Sequence, residues 1–259
     1  MIHKTIFSLL TTCYMLCLLP LAAQDKVQII AHRGYWQSRG AAQNSIAALE
    51  ATDRINAYGA EFDVHLTADS VLVVNHDTTI KDINIQKSPY AAIRDSMLAN
   101  GEKIPTLREY LEAAKRTNIR LIFELKPHET PEHNRIAARL SVELVTEKKL
   151  MHRTDFITFN IDAGKELIRL APQADVYYLN GNLSPKELKT LGFAGLDYHY
   201  DIMRKHPEWF KQAKALGLGV NVWTINDTIL MREMIDAGAD FITTDIPHDA
   251  LIFISSLNK

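Results

Sequence analysis

Cysteine is almost absent from this sequence of 259 residues. The chain has 2 cysteines, Cys13 and Cys17, and both lie in a first segment that has the pattern of a cleaved leader. A mature chain without cysteine has no disulfide, no thiolate nucleophile and no thiolate ligand for a metal. The sequence therefore excludes disulfide-stapled folds, cysteine catalysis and thiolate metal sites.

Three further features are missing, and each absence excludes a class of protein. No apolar run after residue 23 is long enough to span a membrane. Basic residues form no stripe, and 29 Lys and Arg against 31 Asp and Glu leave a net charge of -2, so there is no electrostatic footprint for nucleic acid. No Gly-x-Gly-x-x-Gly pattern follows the first apolar run of the mature chain, which removes the usual mark of a dinucleotide-binding sheet.

The first segment, residues 1–23, has the pattern of a secretory signal peptide. Lys4 supplies a positive charge, residues 6–21 are mostly apolar, and the segment ends in Ala22 and Ala23. A membrane anchor is the alternative, but the apolar stretch is short for a spanning helix. We therefore expect cleavage after Ala23, a mature domain of residues 24–259 without stable membrane insertion, and export to the periplasm or the medium.

The rest of the chain alternates apolar, strand-like runs with helical patterns. The strand signals lie at residues 27–31, 60–66 with 71–75, 120–125, 156–159, 176–179, 195–198, 219–224 and 241–244. The helical patterns lie at residues 45–55, 107–116, 133–149, 163–170, 185–191, 207–216 and 228–237. Eight strand units separated by helices predict a single α/β domain, a TIM (β/α)8 barrel rather than an open doubly wound sheet. Residues 78–105 are the least regular, and we expect them to cross the barrel mouth and shape access to it.

Three carboxylates lie at the ends of predicted strands. Glu61 and Asp63 are two positions apart and point to the same face of one strand, and Glu124 ends the next strand unit. Strand ends of a barrel share one rim, where these charges would repel each other and raise at least one pKa. A hard divalent cation with oxygen ligands resolves the repulsion, which predicts one Mg²⁺ or Ca²⁺ ion at this cluster. Taken singly, each carboxylate is more typical of an exposed rim charge paired with Lys or Arg, and it is the combination with His32 and His76 that favours a metal.

Histidine and basic residues occupy the same strand ends. His32 and His76 each follow an apolar run, and because histidine titrates near neutral pH the pair can supply a general base and a general acid. Arg33 can make a forked contact with phosphate oxygens, and Lys126 can supply a point charge. Together with the carboxylates, these residues form the set of groups needed to cut a phosphodiester.

Residues near the remaining strand ends have more than one interpretation. Trp223 either walls the pocket against the carbon part of a substrate or packs in the core. Asn226 and Asp245 are interpreted as turn and cap residues rather than ligands. His65 continues the inward face of Glu61, and we expect it at the rim.

At these residues the sequence closely resembles the glycerophosphodiester phosphodiesterase family. The motifs that carry the resemblance follow the family's order: His32-Arg33-Gly34, Glu61-x-Asp63-Val64, Leu66-Thr67-x-Asp69, His76-Asp77, Pro105-Thr106-Leu107, Glu124-x-Lys126, Trp223-Thr224-x-Asn226 and Thr244-Asp245-x-Pro247. They extend over nearly the whole mature chain, and their combination is far more specific than any one of them.

The resemblance implies a TIM barrel and metal-dependent hydrolysis of glycerophosphodiesters to glycerol phosphate and an alcohol. Carried over by position, it implies an acid/base pair, His32 and His76, three metal ligands, Glu61, Asp63 and Glu124, and two phosphate contacts, Arg33 and Lys126. One position departs from the family's pattern, because Gln43 stands where the family usually has a glutamate. Gln43 lacks that negative charge but can still hydrogen-bond a ligand or a metal-bound water.

Two other functions remain open from the sequence. A phospholipase D-like relative would act on intact lipids and form a cyclic phosphate, and the apolar surface it needs near the mouth could use Tyr35, Trp36 and Tyr90. A non-catalytic barrel that binds a phosphate ligand is the other, although retention of both histidines and all three carboxylates argues against it. The leading expectation is a small-molecule glycerophosphodiester as partner, and no nucleic acid.

The leader pattern gives the first prediction. The mature protein should begin at or near Gln24, because the small residues before it form the cleavage site. Mass spectrometry of the exported protein measures that terminus. Recovery of the intact chain in the membrane fraction, with residues 1–23 attached, would instead identify the segment as an anchor.

Overall fold

The computed structural model describes residues 27–257, so the predicted signal peptide lies outside the described residues. In the described range, strands occur at all the predicted places, and two short strands at residues 79–80 and 83–84 were not predicted. The strands are β1 (Gln28–Ala31), β2 (Gly59–Leu66), β3 (Leu72–Val74), β4 (Thr79–Ile80), β5 (Ile83–Asn84), β6 (Arg120–Leu125), β7 (Thr154–Thr158), β8 (Val176–Tyr178), β9 (Gly195–His199), β10 (Gly219–Trp223) and β11 (Phe241–Thr244).

Eight of these strands are parallel and close into a barrel, which confirms the predicted fold. Their order is β1-β11-β10-β9-β8-β7-β6-β2, and pairing of β2 with β1 closes the ring. β3 adds to β2 in the antiparallel direction, so the second strand unit of the sequence is a hairpin attached to the barrel. In the register of β1 with β11, Ala31 lies opposite Thr244, and His32 and Asp245 therefore leave the barrel side by side.

Helices separate the barrel strands and cover the outside of the sheet. Between residues 27 and 257 they are α1 (Ile46–Arg54), α2 (Leu107–Ala114), α3 (Pro131–Glu147), α4 (Ile161–Leu170), α5 (Pro185–Leu191), α6 (Tyr200–Lys205), α7 (Glu208–Ala215), α8 (Thr228–Ala237) and α9 (Pro247–Ser256). None of them combines the length and the apolar character needed to cross a membrane.

The sequence predicted seven of these helices and missed α6 and α9. α6 has only 6 residues, too few for a helical period to emerge. α9 begins with Pro247 at its first turn, a favoured position for proline, but its run of four apolar residues from Leu251 to Ile254 hides the period. For two of the predicted helices, the capping residues mark the first turn correctly. Ser184 forms a capping box before α5, and Asp227 caps α8.

Alternation along the strands separates an inner face from an outer face. Inside the barrel, Ile30, Ile122, Ile157 and Leu179 form an apolar cluster. On the outer face, the ring of Phe62 lies 4.5 Å from that of Tyr110 on α2. Because side chains alternate along a strand, the neighbours of Phe62, Glu61 and Asp63, point inward.

Residues 78–105, between β3 and α2, form an excursion with a small core of its own. Its buried apolar residues, together with one from β3, are Val73, Ile85, Ile93 and Ile104. Glu102 attaches it to the start of α1 by accepting hydrogen bonds from the backbone of Ile46 and Ala47 at 3.0 and 3.3 Å. No residue of this excursion lines the cavity at the barrel mouth. The expectation that the excursion shapes access to the barrel is therefore not supported by the residues of the cavity wall.

Tyr177 fills the end of the barrel opposite the mouth, where β9 and β10 begin with glycine. A Cβ atom at Gly195 would stand 2.2 Å from the carbonyl oxygen of Gly219 and 2.4 Å from a ring carbon of Tyr177. The close approach of the two strands and the ring therefore requires a residue without a side chain at this position.

The Gly195→Ala variant should be destabilised by about 3 kcal/mol, the upper end of the cost of overpacking a core. Gly217→Ala is the matched control, because a Cβ there meets nothing within 4 Å and adds only the strain of its φ of 66°, about 1 kcal/mol. Urea denaturation measures both free energies of unfolding. Equal losses in the two variants would contradict the packing described here.

Candidate active site

The carboxyl ends of neighbouring strands bring the predicted site residues together at one mouth of the barrel. A cavity of about 170 Å³ opens there. The predicted site residues that line it are His32, Arg33, Glu61, His76, Glu124, Lys126 and Trp223. Asp63 is 1% exposed and lies at the same strand end, and Gln43 is an exposed residue that reaches the site through Arg33.

Glu61, Asp63 and Glu124 form one buried cluster. Each offers an oxygen atom, and these atoms lie within 4.8 Å of one another. Glu61 accepts a hydrogen bond from the backbone N–H of Arg33 through Oε2 at 2.7 Å, whereas its buried Oε1 has no hydrogen-bond partner. Asp63 is held by Asn44, which donates from Nδ2 to Oδ2 at 2.8 Å and accepts from the Asp63 backbone N–H at 3.0 Å.

The charge balance of the cluster is unfavourable without a cation. Burial, followed by the charges of Asp63 and Glu124, raises the pKa of Glu61 well above its usual range. Burial and the charge of Asp63 likewise raise the pKa of Glu124 to about 8. Burial opposes ionisation of Asp63 as well, but Lys126 and further favourable contacts outweigh it and hold the pKa at about 2. The unpartnered Glu61 oxygen and the three converging carboxyls are a donor set that fits a divalent cation, whose charge would allow all three to ionise.

Lys126 and Arg33 place two positive charges beside this cluster. The Lys126 ammonium lies 2.8 Å from Glu124 Oε1 and 3.1 Å from Asp63 Oδ1. Burial would lower the pKa of Lys126, but the two carboxylates outweigh burial and raise it. Arg33 has a positive φ of 56°, and its guanidinium donates to Gln43 Oε1 at 2.7 Å. The neutral amide of Gln43 thus orients Arg33 without neutralising its charge.

Each of the two histidines is paired with a carboxylate through Nδ1. His32 Nδ1 lies 2.8 Å from Asp245 Oδ1, and His76 Nδ1 lies 2.7 Å from Asp77 Oδ1. Because an ionised carboxylate only accepts, Nδ1 carries the proton in both rings, and Nε2 is the nitrogen left for other partners. Burial lowers the pKa of His76.

Asp245 has a role that the sequence interpretation missed. In addition to His32, it accepts hydrogen bonds from Trp36 Nε1 at 3.1 Å and from Asn226 Nδ2 at 2.7 Å. Burial opposes its ionisation, but these hydrogen bonds and the one with His32 outweigh burial and hold the pKa at about 2. Asn226 also braces the turn, as predicted, by accepting from the backbone N–H of Asp245 at 2.9 Å. The only sequence signal for the His32 contact is the motif that contains Asp245.

His65 does not line the cavity at the rim, and the expectation that it would is wrong. The residue is 0% exposed, and its Nε2 lies 3.2 Å from the backbone oxygen of His76 while its Nδ1 accepts from Gln86 at 2.9 Å. Since a carbonyl oxygen can only accept, the proton is assigned to Nε2. Burial lowers the pKa of His65 to about 4 and keeps the ring neutral. His65 thus braces the segment that carries His76.

The opposite side of the cavity is mostly apolar. Trp223 lines it together with Phe159 and Leu179. The ring centroids of Trp223 and Phe159 are 5.8 Å apart, and the indole N–H donates to the backbone oxygen of Asp197 at 2.9 Å. Trp223 is therefore both packed against the barrel and part of the cavity wall, so the two interpretations of this residue are not exclusive.

Comparison with known proteins agrees with this arrangement. The model of the glycerophosphoryl diester phosphodiesterase family matches residues 32–249. A glycerophosphodiester phosphodiesterase from Caldanaerobacter subterraneus subsp. tengcongensis is 29% identical over 239 residues, which cover 86% of this chain and 96% of that protein.

Solved structures give the same result. A glycerophosphodiester phosphodiesterase from Parabacteroides distasonis superposes with a TM-score of 0.90 at 58% identity and covers 91% of this chain and 100% of that one. A phosphodiesterase from Oleispira antarctica in complex with the product sn-glycerol-3-phosphate superposes with a TM-score of 0.76 at 27% identity, over 88% of this chain and 96% of that one. Because the family model also matches most of its length, the chain belongs to the glycerophosphoryl diester phosphodiesterase family and is a phosphoric diester hydrolase.

Proposed function

We propose that this enzyme hydrolyses glycerophosphodiesters to glycerol phosphate and an alcohol, with one divalent cation and two histidines that exchange protons with the reacting oxygens. The observation that carries the proposal is the composition of one cavity, where two carboxylate-paired histidines flank three converging carboxyls, one arginine and one lysine. The product bound in the Oleispira antarctica relative supports glycerol phosphate as the product class.

Glu61, Asp63 and Glu124 would hold the cation. All-oxygen ligation and a buried site favour a hard ion, Mg²⁺ or Ca²⁺. When bound, such an ion neutralises charge on the phosphoryl oxygens and lowers the barrier to attack on phosphorus. Asn44 keeps Asp63 in place, and the Arg33 backbone N–H does the same for Glu61.

Arg33 and Lys126 would bind the phosphate group. The guanidinium of Arg33 presents several donors in one plane, and its buried Nε has no hydrogen-bond partner. Lys126 contributes a point charge on the same side of the cavity. These two residues would orient the diester between the histidines. They would also stabilise the negative charge that develops on the phosphoryl oxygens during the reaction.

The histidines divide the proton transfers. One ring accepts through Nε2 the proton of the attacking hydroxyl, a water or a hydroxyl of the substrate, as its oxygen bonds to phosphorus. The other ring donates its Nε2 proton to the departing alcohol oxygen as the bond from phosphorus to that oxygen breaks. Asp245 and Asp77 hold the two rings in the orientation that directs Nε2 away from them.

No specific observation favours either alternative. A lipid-binding mouth would need exposed apolar residues, but Tyr35 stacks on His248, and Trp36 donates to Asp245. Tyr90 packs on the small core of the excursion. A barrel that only binds a phosphate ligand does not need proton-transfer groups, so it would not explain why both His32 and His76 are paired with a carboxylate.

Removal of divalent ions should abolish activity, and Mg²⁺ or Ca²⁺ should restore it, because Glu61, Asp63 and Glu124 would hold the ion that neutralises charge on the phosphoryl oxygens. The same ion should raise the melting temperature, since it binds only the folded cluster. Asp63→Asn should lose this rise, whereas Glu143→Gln, which changes an exposed carboxylate, should keep it. Full activity after exhaustive chelation would refute the metal assignment.

Replacing either His32 or His76 by alanine should lower the rate on glycerophosphocholine by a factor on the order of 10²–10⁴, the usual contribution of a positioned proton-transfer group. His152→Ala, at an exposed histidine, is the control. In the wild type, kcat/KM should rise with pH as the base loses its proton and fall as the acid loses its own, and the two limbs should report the pair.

A diester of p-nitrophenol distinguishes the two roles. This leaving group departs without protonation, so the variant that lacks the general acid should regain much of its rate and the variant that lacks the base should not. Near-normal rates of both variants on glycerophosphocholine would mean that the proton-transfer groups lie elsewhere.

A further inference from the structure

Asp197 is a buried carboxyl at the cavity to which neither the metal cluster nor the histidine pair gives a role. It lies in the middle of β9, is 1% exposed, and lines the same cavity as Glu61 and Glu124. Its Oδ1 atom is buried and has no hydrogen-bond partner. A buried acceptor without a partner is costly, and such an atom beside a substrate cavity points to a ligand group that completes it.

The strand order places Asp197 across the barrel from the metal cluster. In the closed ring of eight strands, β9 is four strands from β2 in either direction, so the two strands face each other. The cavity therefore has a charged half, built by β1, β2 and β6, and a mostly apolar half. On that apolar half, Ile157 and Leu179 lie with Asp197 on the cavity wall.

We infer that Asp197 binds the terminal hydroxyl of the glycerol portion of the substrate, and that it is a specificity-determining residue of this enzyme. The inference rests on the proposed function and names the group that the apolar half of the cavity recognises. With the phosphate at Arg33 and Lys126, the terminal hydroxyl is the substrate group of the glycerol portion that lies farthest from phosphorus and reaches toward the opposite wall.

The chemistry of a hydroxyl matches this position better than that of other groups. A hydroxyl both donates and accepts, so it can complete a carboxyl in either protonation state. A phosphate oxygen would be repelled by an ionised Asp197, which helps to direct the phosphate toward the basic residues. The glycerol carbons, in turn, can pack on Ile157 and Leu179. Burial raises the pKa of Asp197 to about 7, so both states are available near neutral pH.

A bound water is the competing explanation for the unpartnered oxygen. Asp197 also lines a second cavity of about 10 Å³, between residues that include Tyr177 and Asn221, which is close to the room needed for one water. A residue that only holds such a water would support the barrel and would affect all substrates alike. The two explanations therefore predict different effects of the substrate's terminal hydroxyl on kcat/KM.

The test compares glycerophosphocholine with its analogue that lacks the terminal hydroxyl, using metal-activated enzyme. The wild type should prefer glycerophosphocholine by roughly 10- to 100-fold in kcat/KM, the effect of a hydrogen bond to a charged or buried partner. Asp197→Ala should lose this preference by falling on glycerophosphocholine while staying within a few-fold of wild type on the analogue. Asp197→Asn, which keeps the shape and a polar group, should retain part of it.

Asp155→Asn is the matched control, because Asp155 is a second buried carboxyl inside the barrel that pairs with Arg120 and lies outside the active-site cavity. It should keep the full preference even where stability falls. An equal loss of rate on both substrates in Asp197→Ala, or an unchanged preference, would overturn the inference and favour the water.

Product binding gives a measurement independent of turnover. The thermal shift caused by sn-glycerol 3-phosphate should exceed that of propane-1,2-diol 1-phosphate in the wild type and in Asp155→Asn, and the two shifts should be equal in Asp197→Ala. Equal shifts in the wild type would overturn the inference by themselves. A wild type that binds and discriminates these phosphates but cleaves no diester would instead refute the proposed hydrolysis and leave the role of Asp197 in binding supported.

Discussion

The repulsion among three buried carboxyls is the constraint on which the site depends. Glu61, Asp63 and Glu124 converge within 4.8 Å where burial already opposes their ionisation. The surrounding structure compensates by directing donors and positive charge at them. Asn44 adopts a positive φ of 62° as it holds Asp63, and Lys126 lies between two of the carboxylates. Much of the local backbone and charge is thus arranged to make three buried carboxyls tolerable in a protein interior.

Closure of the barrel supplies the second requirement, which is orientation of the histidines. His32 follows the first barrel strand and Asp245 follows the last, and they meet because Ala31 lies opposite Thr244 in the register of those strands. A hydrogen bond from the His32 backbone N–H to the Thr244 oxygen at 3.0 Å fixes that junction. The orientation of His32 is therefore a consequence of the same pairing that completes the sheet, and the proposed proton transfer would depend on it.

Periodicity and position at strand ends explain how much of this could be predicted from the sequence. The eight strand units and the residues after them are local signals, and they placed His32, Glu61, His76 and Glu124 on one rim, where the structure has them. The partner of His32 depends on a register between residues 213 positions apart, which no local pattern encodes. His65 was misplaced because alternation gives the face of a strand but not what covers it. The segment that carries His76 and the side chain of Gln86 contact His65 and bury it, and that covering depends on residues outside the strand.

The position of Asp197 likewise could not be predicted from the sequence, and it bears on how the substrate would be recognised. In the sequence it stands in an ordinary strand and carries no motif, and only ring closure sets it opposite β2. That opposition separates two kinds of interaction across one cavity. In the proposed mode of binding, the charged half would hold the phosphate that all phosphodiesters share, and the apolar half with its single carboxyl would contact the part that differs among them. Because the two halves lie on different strands, substitutions at β9 would be able to alter the choice of substrate without disturbing the carboxyl cluster.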